Sequence, residues 1–397
     1  SPYILACSTT FFNFFIILLI IRNCKGNFRM TEKKEAVFVI CEYNPFHFGH
    51  LHQLSELKER YGSVLCVMSG DYVQRGESAI YPKQARAAAA VACGADAVFE
   101  LAFPFSCMAA RDFAAAGVYL AAALGCRYLA FGAEDGGDAL LAASGVLCDR
   151  AAVADIQKQN RNLSYPKAAS LLLAERLGDG FADIASKPNN ILGIEYISAA
   201  KRLGCDMSFE VVRRSPAFES SSVIRNRGDV LPYIPERAAR VLSGIPRRDM
   251  KRLDSALMAA ALRLSADSDV YGLDSGEVMR LKNAAEESRT ADETVERAVS
   301  ATMTRAKARR GMLSALLGIT QGDAATKPLY TTLLALGENG ASYISRHRKE
   351  LCVPVATKLS HISRAGAEAV GQYERGIVAG RVAALAEENT DARNGSP

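Results

Sequence analysis

The sequence has no Cys-x-x-Cys pair among its ten cysteines, and no cluster of histidines and cysteines has the spacing of metal ligands. Most cysteines stand in apolar or alanine-rich runs, where this residue behaves as a small buried hydrophobic side chain. The pattern argues against a disulfide framework and a structural zinc site, and it is typical of a protein from a reducing cell interior. We therefore predict a cytoplasmic protein whose chain supplies no metal site.

A strong charge bias and a membrane-length apolar run are also missing. The formal net charge is only +5 at pH 7, which permits a polyanionic partner without requiring one. The most apolar run, residues 11–21, is far shorter than the roughly 20 residues of a membrane span, and no basic segment precedes it as in a signal peptide. We expect residues 1–29 to be a leader outside the fold, with a membrane anchor as the alternative, and we expect no stable membrane association.

Short apolar runs and helical stretches alternate from residue 36 onward. The runs that read as strands lie at residues 36–40, 63–70, 96–101, 128–132 and 208–212. This alternation predicts an α/β protein with a Rossmann-like, doubly wound parallel sheet, in which ligands bind at the carboxyl ends of the strands. Beyond residue 231 the strand signal fades. We predict an α/β domain at residues 30–230 and a mainly α-helical domain at residues 231–397.

One predicted strand–helix turn carries three of the five histidines, His47, His50 and His52. The start of a helix offers free N–H groups and a positive dipole end to an anion. Gly49 would let the backbone approach such a ligand closely. Two imidazoles can donate hydrogen bonds to charge that develops on phosphorus. The turn predicts a nucleotide site with His47 and His50 as catalytic residues; the alternative is a plain turn with surface histidines.

A second phosphate-binding pattern follows the last predicted strand. Residues 220–225 read Ser-Ser-Ser-Val-Ile-Arg, so that hydroxyls and an arginine meet at a helix start. Ser221, Ser222 and Arg225 are candidate phosphate ligands. The alternative interpretation is an ordinary helix cap followed by a solvated arginine.

The two motifs together resemble those of the HxGH nucleotidyltransferase superfamily. The stretch Glu-Tyr-Asn-Pro-Phe-His-Phe-Gly-His-Leu narrows the resemblance to the bacterial tRNA(Met) cytidine acetate ligase family. The segments that carry this resemblance are residues 42–51, 68–77, 131–134, 188–196, 304–310 and 334–340. The resemblance covers roughly residues 36–385. It implies ATP-dependent activation of acetate as acetyl-adenylate and acetyl transfer to N4 of the wobble cytidine of elongator tRNA(Met), with release of AMP and diphosphate.

The resemblance also implies which residues contact ATP. The strand–turn–helix contacts would be Ile40, Cys41, Glu42, Tyr43, Asn44, Pro45, Phe46, His47, Phe48, Gly49, His50, Leu51, His52 and Gln53. The contacts elsewhere would be Gly132, Asn189, Asn190, Arg213 and Arg214. One member of the asparagine pair is expected to face the ligand, with Asn189 preferred. The alternatives are that Asn189 caps its helix and that Arg213 is a surface charge.

Three positions depart from the family pattern. Phe48 stands where asparagine is common, Arg214 where an aliphatic residue is usual, and Ala133 where serine is common. If position 48 contacts phosphate, one polar contact is lost; if it points away, nothing changes. Because both histidines are present, adenylation is still expected.

The tRNA contacts are predicted from basic clusters in the helical half. The family motif that begins at Thr304 supplies Arg305, Lys307, Arg309 and Arg310, which together can follow a phosphate backbone. Gln74 and Arg75 would face acetate or the cytidine. The alternative for the basic cluster is a solvated helix face. Mg²⁺ is an expected companion of pyrophosphate, although no carboxylate motif indicates its ligands.

Two other functions fit the first motif. One is an adenylyltransferase acting on a small molecule, which the long helical half with basic clusters disfavours. The other is a nucleotide-binding regulator without turnover, which the intact histidine pair disfavours.

Overall fold

A seven-stranded sheet organises the fold. The computed structural model describes residues 34–160 and 163–388, so the predicted leader at residues 1–29 lies outside the described residues. In sheet order the strands are β7 (Ser208–Arg213), β6 (Tyr128–Ala133), β1 (Lys34–Cys41), β2 (Tyr61–Ser69), β5 (Ala97–Leu101), β8 (Thr331–Leu336) and β9 (Val355–Ala356). A separate hairpin consists of β3 (Tyr72–Val73) and β4 (Glu77–Ser78).

The five strands predicted from the sequence form the parallel part of this sheet. β1 pairs with β2 and β6, β2 with β5, and β6 with β7, all in parallel. Along β1, Phe38 and Ile40 enter one buried core, whereas Val37 and Val39 enter another. Because successive side chains of a strand point to opposite faces, a strand buried on both faces reads as a continuous apolar run. The predicted doubly wound α/β fold is confirmed.

Helices cover both faces of the sheet and form most of the carboxyl-terminal half. They are α1 (Phe48–Arg60), α2 (Lys83–Ala92), α3 (Ala110–Ala123), α4 (Gly137–Leu147), α5 (Arg150–Gln159), α6 (Tyr165–Leu177), α7 (Pro188–Leu203), α8 (Ser221–Arg225), α9 (Glu236–Leu242), α10 (Asp254–Leu262), α11 (Ser275–Glu286), α12 (Ala291–Ala298), α13 (Arg305–Leu317), α14 (Glu338–His347), α15 (Leu359–Ile362) and α16 (Ala367–Ala384). None of the helices within residues 34–160 and 163–388 is long and apolar enough to cross a membrane.

The carboxyl-terminal half differs from the prediction in one respect. Helices α10 to α13 enclose a core of their own, which includes Leu257, Leu281 and Met312. The chain then returns to the main sheet, where β8 runs antiparallel to β5 and β9 runs parallel to β8. The sequence predicted no strand there, because a short apolar run such as Thr331–Leu336 has no period that separates strand from helix. The domain division near residue 230 stays a prediction.

The hairpin of β3 and β4 lies against helix α13. Gly76 turns the hairpin with φ +77°, and a Cβ at this position would lie 2.6 Å from the backbone nitrogen of Arg310. Both facts require glycine, because the left-handed conformation is strained for other residues and the helix leaves no room for a side chain. The hairpin therefore fits α13 at backbone distance.

We expect Gly76→Ala to lower the free energy of unfolding by about 2–4 kcal/mol, because the change combines left-handed strain with a backbone clash. Gly145→Ala is the matched control. Gly145 lies inside α4 with nothing near its missing side chain, so alanine there should raise stability by about 0.5–1 kcal/mol. Denaturant unfolding of both variants measures the difference. A Gly76→Ala protein as stable as the wild type would contradict the close packing of hairpin and helix.

Candidate active site

His47 and His50 cap the start of α1 reciprocally. His47 Nδ1 accepts the N–H of Gly49 at 3.0 Å, and His50 Nδ1 accepts the N–H of His47 at 3.3 Å. The two rings stack with their centroids 3.8 Å apart. A neutral imidazole that accepts at Nδ1 carries its proton on Nε2, so each ring keeps one N–H donor. The backbone thus holds two donors side by side at the carboxyl end of β1.

Both imidazoles are neutral at pH 7. Burial, together with the charges of Arg214 and Arg225, lowers the pKa of His47 to about 4. Burial also lowers the pKa of His50 well below its usual value, with smaller effects from His47 and Arg214. The neutral state agrees with the Nε2–H tautomer that the capping hydrogen bonds require.

We expect the free energy of unfolding to rise with pH between about 4 and about 6.5. An unfolded histidine titrates near 6.5, whereas His47 titrates at about 4 in the fold, so the unfolded chain binds more protons between these values. Acidification through this window should remove about 1 kcal/mol per pH unit for His47. Urea unfolding at several pH values measures the slope.

The same titration of His47→Asn supplies the control, because the variant should have a shallower slope. The contribution of His347 to the free energy of unfolding has the opposite pH dependence. A hydrogen bond to Glu350 raises the pKa of His347, so its stabilising contribution falls as the pH rises above about 6.5. The difference between wild type and variant therefore isolates His47. Identical slopes in the two proteins would contradict the assignment.

Glycine is required at position 49 for a different reason from the one expected from the sequence. A Cβ at Gly49 would lie 2.9 Å from Cε1 of His47, because the histidine ring folds back over the helix start. The ring of His47 therefore already requires glycine at this position. Behind the pair, Tyr43 contacts His50 with ring centroids 4.8 Å apart, and Phe46 does so at 5.6 Å. These two aromatic rings pack against His50 from the side of the core.

The remaining predicted residues of this segment divide by exposure. Those that are buried are Ile40, Tyr43, Asn44, Pro45, Phe46 and Gln53, and those that are half-buried are Cys41, Glu42, Leu51 and His52. Phe48 alone in the segment is largely exposed, at 44%. Its side chain therefore lies outside the core at the first residue of α1. Burial raises the pKa of the Cys41 thiol and of the Glu42 carboxyl.

Arg86 holds the ends of the first two strands, and sequence reasoning missed it. Its side chain is fully buried and donates to the carbonyls of Tyr81 at 3.1 Å and Ser69 at 3.0 Å, and to those of Glu42 and Gly70. Burial lowers its pKa to about 10. The available signal was an arginine inside the alanine-rich helix α2. Arg86 therefore positions the loops that follow β1 and β2, including the one that carries the histidines.

The loop after β6 is held by the asparagine pair. Asn190 is fully buried, and its Oδ1 accepts the N–H groups of Glu134 at 3.0 Å and Asp135 at 3.2 Å. Asn189 donates from Nδ2 to Glu134 Oε1 at 2.6 Å. The buried amide of Asn190 thus serves the loop, which makes Asn190 a positioning residue. Asn189 stays the predicted nucleotide contact of the pair.

Three predicted contact residues meet near the end of β6. A Cβ on Gly132 would lie 3.7 Å from Cγ of Arg214 and 4.0 Å from Nε2 of Gln53. Arg214 also lies 3.6 Å from Glu134, measured from its guanidinium nitrogen to a carboxylate oxygen. Arg213 ends β7 opposite Ala133, and its side chain is exposed. Arg214, which stands where the family usually has an aliphatic residue, thus adds a positive charge that acts on His47 and His50.

The second motif lies against the histidine turn. Ser220 caps α8 by accepting the N–H of Val223 at 3.5 Å, as the plain-cap interpretation allowed. Arg225, however, is not a solvated side chain, because it donates to the carbonyl of Asn44 at 2.8 Å. Asn44 in turn accepts the N–H of Ile80 at 2.9 Å through its side chain. The predicted phosphate candidates therefore meet the histidine turn at one place.

The predicted tRNA cluster on α13 is occupied by protein partners. The pairs are Arg305 with Glu296 at 2.5 Å, Lys307 with Glu277 at 2.5 Å, Arg309 with Glu77 at 2.7 Å, and Arg310 with the carbonyl of Gln74 at 3.2 Å. Burial lowers the pKa of Arg310. Arg309 and Arg310 attach the β3–β4 hairpin to α13. The cluster is thus a structural link as well as a candidate RNA surface.

Comparison with known proteins identifies the family of the chain. The HIGH Nucleotidyl Transferase family model matches residues 34–396. The tRNA(Met) cytidine acetate ligase of Syntrophotalea carbinolica is 34% identical over 362 residues, which span 82% of this chain and 85% of that protein. This chain belongs to the tRNA(Met) cytidine acetate ligase family. The ligase of a Geobacillus species is a second relative, 28% identical over 83% of this chain and 90% of its own length.

Solved structures agree with the family in fold. The crystal structure of Thermotoga maritima TmcAL bound with alpha-thio ATP has a TM-score of 0.82 and 24% identity, and the match covers 91% of this chain and 97% of that one. The apo structure of the same Thermotoga protein gives a TM-score of 0.83. The family resemblance inferred from the motifs is confirmed, and the matched region includes both the α/β part and the helices that follow it.

Proposed function

We propose that this protein is an ATP-dependent ligase that activates acetate and acetylates N4 of the wobble cytidine of elongator tRNA(Met). Membership of the tRNA(Met) cytidine acetate ligase family carries this proposal. The stacked neutral histidines support it, because they place two N–H donors at the carboxyl end of a parallel strand. With this activity the protein would act on tRNA in the cytoplasm.

The first step needs stabilisation of phosphate charge rather than a protein nucleophile. A carboxylate oxygen of acetate attacks the α-phosphorus of ATP, and the bond to the β-phosphate breaks to release pyrophosphate. His47 and His50 donate from Nε2 to the charge that develops on the phosphate oxygens. Arg214 and Arg225 add positive charge beside them. The site residues therefore act by positioning and electrostatics.

The second step transfers the acetyl group. The N4 amine of cytidine attacks the acetyl carbonyl, AMP leaves, and the amine loses a proton. Asn189 and the loop at Glu134 would hold the nucleotide during this step. Mg²⁺ is a proposed companion of the phosphates. Within residues 34–160 and 163–388 no three His, Cys, Asp or Glu side chains converge as a metal site, so ATP would bring the ion.

A single assay tests the proposal. The purified full chain is incubated with ATP, labelled acetate and an elongator tRNA(Met) transcript, and the digested RNA is analysed for N4-acetylcytidine. A transcript with uridine at the wobble position is the matched control, since it lacks the N4 amine. Acetate-dependent pyrophosphate release without label in either RNA would contradict tRNA as the acceptor. Pyrophosphate release that needs a different small molecule would indicate an adenylyltransferase, and ATP binding without turnover a regulator.

A further inference from the structure

Two arginines converge on one hydroxyl beside the histidine turn. Arg75 donates to Ser222 Oγ at 3.0 Å, and Arg225 reaches the same oxygen at 3.5 Å. Among the residues that the structure describes, neither guanidinium has a carboxylate within ion-pair distance. Burial lowers the pKa of Arg225; the carboxylates of Glu77 and Glu42 raise it in part, and the charge of Arg75 lowers it. Two like charges that share a neutral oxygen form a site that an anion would stabilise.

This position adjoins the histidine turn. Ser222 belongs to the second motif, and Arg225 also bonds the carbonyl of Asn44, three residues before His47. An anion held by both guanidinium groups would therefore lie between the two motifs. Free acetate carries a single charge, whereas the β- and γ-phosphates offer several oxygens to two planar donors. The positive charge and the number of N–H donors therefore favour the β- and γ-phosphates of ATP over free acetate as the bound anion.

The hairpin fixes Arg75 in place. The N–H of Gln74 donates to Glu42 Oε1 at 3.0 Å, and the carbonyl of Gln74 accepts from Arg310 at 3.2 Å. Glu77, on the other side, pairs with Arg309 at 2.7 Å. The backbone around Arg75 is thus anchored both to the end of β1 and to α13. Such anchoring preorganises a cation, so that little rearrangement accompanies the charge that forms on a leaving group.

We propose that Arg75, together with Arg225, binds the pyrophosphate end of ATP, rather than the tRNA contact expected from the sequence. The inference rests on the proposed adenylation function for its catalytic meaning. As the bond between the α- and β-phosphates breaks, the leaving pyrophosphate gains charge, which Arg75 stabilises through charge-assisted hydrogen bonds. The α13 helix then serves adenylation by holding the hairpin that carries Arg75.

Nucleotide binding to the full chain tests the inference without requiring turnover. Arg75→Ala should weaken ATP binding by about ten- to a hundredfold, the effect of a lost charge-assisted hydrogen bond, and leave AMP binding unchanged. Arg75→Lys should recover part of the affinity, because lysine keeps the charge but not the planar fork. Arg240→Ala is the control, since Arg240 is an exposed side chain paired with Glu236 on α9. Isothermal titration calorimetry measures all four proteins with ATP and with AMP.

Two results would overturn the inference. Unchanged ATP affinity in Arg75→Ala is the first, and an equal loss of ATP and AMP affinity is the second, since it would place Arg75 at the nucleoside or in folding. If unchanged ATP affinity were joined to weaker binding of the tRNA transcript, Arg75 would be the tRNA contact expected from the sequence. Failure of the proposed function looks different: the wild type would make no N4-acetylcytidine, while the comparison of ATP with AMP would still decide the role of Arg75.

Discussion

His47→Asn should lower acetate-dependent ATP–pyrophosphate exchange by about two to three orders of magnitude, the usual effect of removing a preorganised donor from developing charge. Asparagine at this position can still cap α1, because its side-chain oxygen can accept the Gly49 N–H that His47 Nδ1 accepts now. It cannot reproduce the Nε2–H donor. The substitution therefore separates the capping role of His47 from its catalytic role.

The exchange assay needs a fold control beside it. The free energy of unfolding of His47→Asn should stay within about 1 kcal/mol of the wild type near neutral pH, because the cap is retained. His361→Asn is the matched substitution elsewhere, since His361 Nδ1 also accepts a backbone N–H, that of Thr357 at 3.4 Å. It should leave exchange unchanged. Normal exchange in His47→Asn would remove His47 from the catalytic step.

Arg86→Met should lower the free energy of unfolding by about 3–5 kcal/mol and disrupt ATP binding with it. The substitution keeps much of the side-chain volume but leaves four carbonyl oxygens, three of them in buried hydrogen bonds, without their donor. Two of these carbonyls, those of Glu42 and Gly70, belong to the loops that follow β1 and β2. Denaturant unfolding and ATP titration of the same preparation measure the two effects.

Two further variants make this test specific. Arg86→Lys should lie between wild type and Arg86→Met, because an ammonium group can reach some of the carbonyls but not with the span of a guanidinium. Arg240→Met removes an exposed arginine from a helix and should change stability by less than about 0.5 kcal/mol. If Arg86→Met were as stable as Arg240→Met, the hydrogen bonds from Arg86 to the four carbonyls would not contribute to stability.

Local patterns predicted most of the α/β part. The apolar runs that became β1, β2, β5 and β6 were visible because strands buried on both faces are continuously apolar, and the run that became the edge strand β7 was visible although it is largely half-buried. β8 was not visible, because it joins the sheet between β5 and β9 only after a long helical stretch. Whether such a run pairs with a distant strand depends on partners that its own residues do not indicate.

The candidate site shows the same division. His47, Gly49 and His50 could be identified because their function arises within four consecutive residues at one helix start. Arg86 and the partners of α13 could not, because each acts on residues far away in the chain; Arg309 and Glu77 are separated by 232 positions. The basic cluster on α13 was correctly seen as dense in charge, but its partners depend on the packing of that helix.

The sequence by itself determined the parallel α/β sheet, the histidine pair and the family, because each is encoded in short segments with their own periodicity or motif. Only the tertiary structure decided which groups each charged side chain contacts. Arg86 and Arg310 donate to backbone carbonyls, Arg225 donates both to the carbonyl of Asn44 and to Ser222, and Arg75 donates to Ser222. The physical reason is that a charge takes its role from the groups packed around it, and the fold assembles those groups from distant parts of the chain.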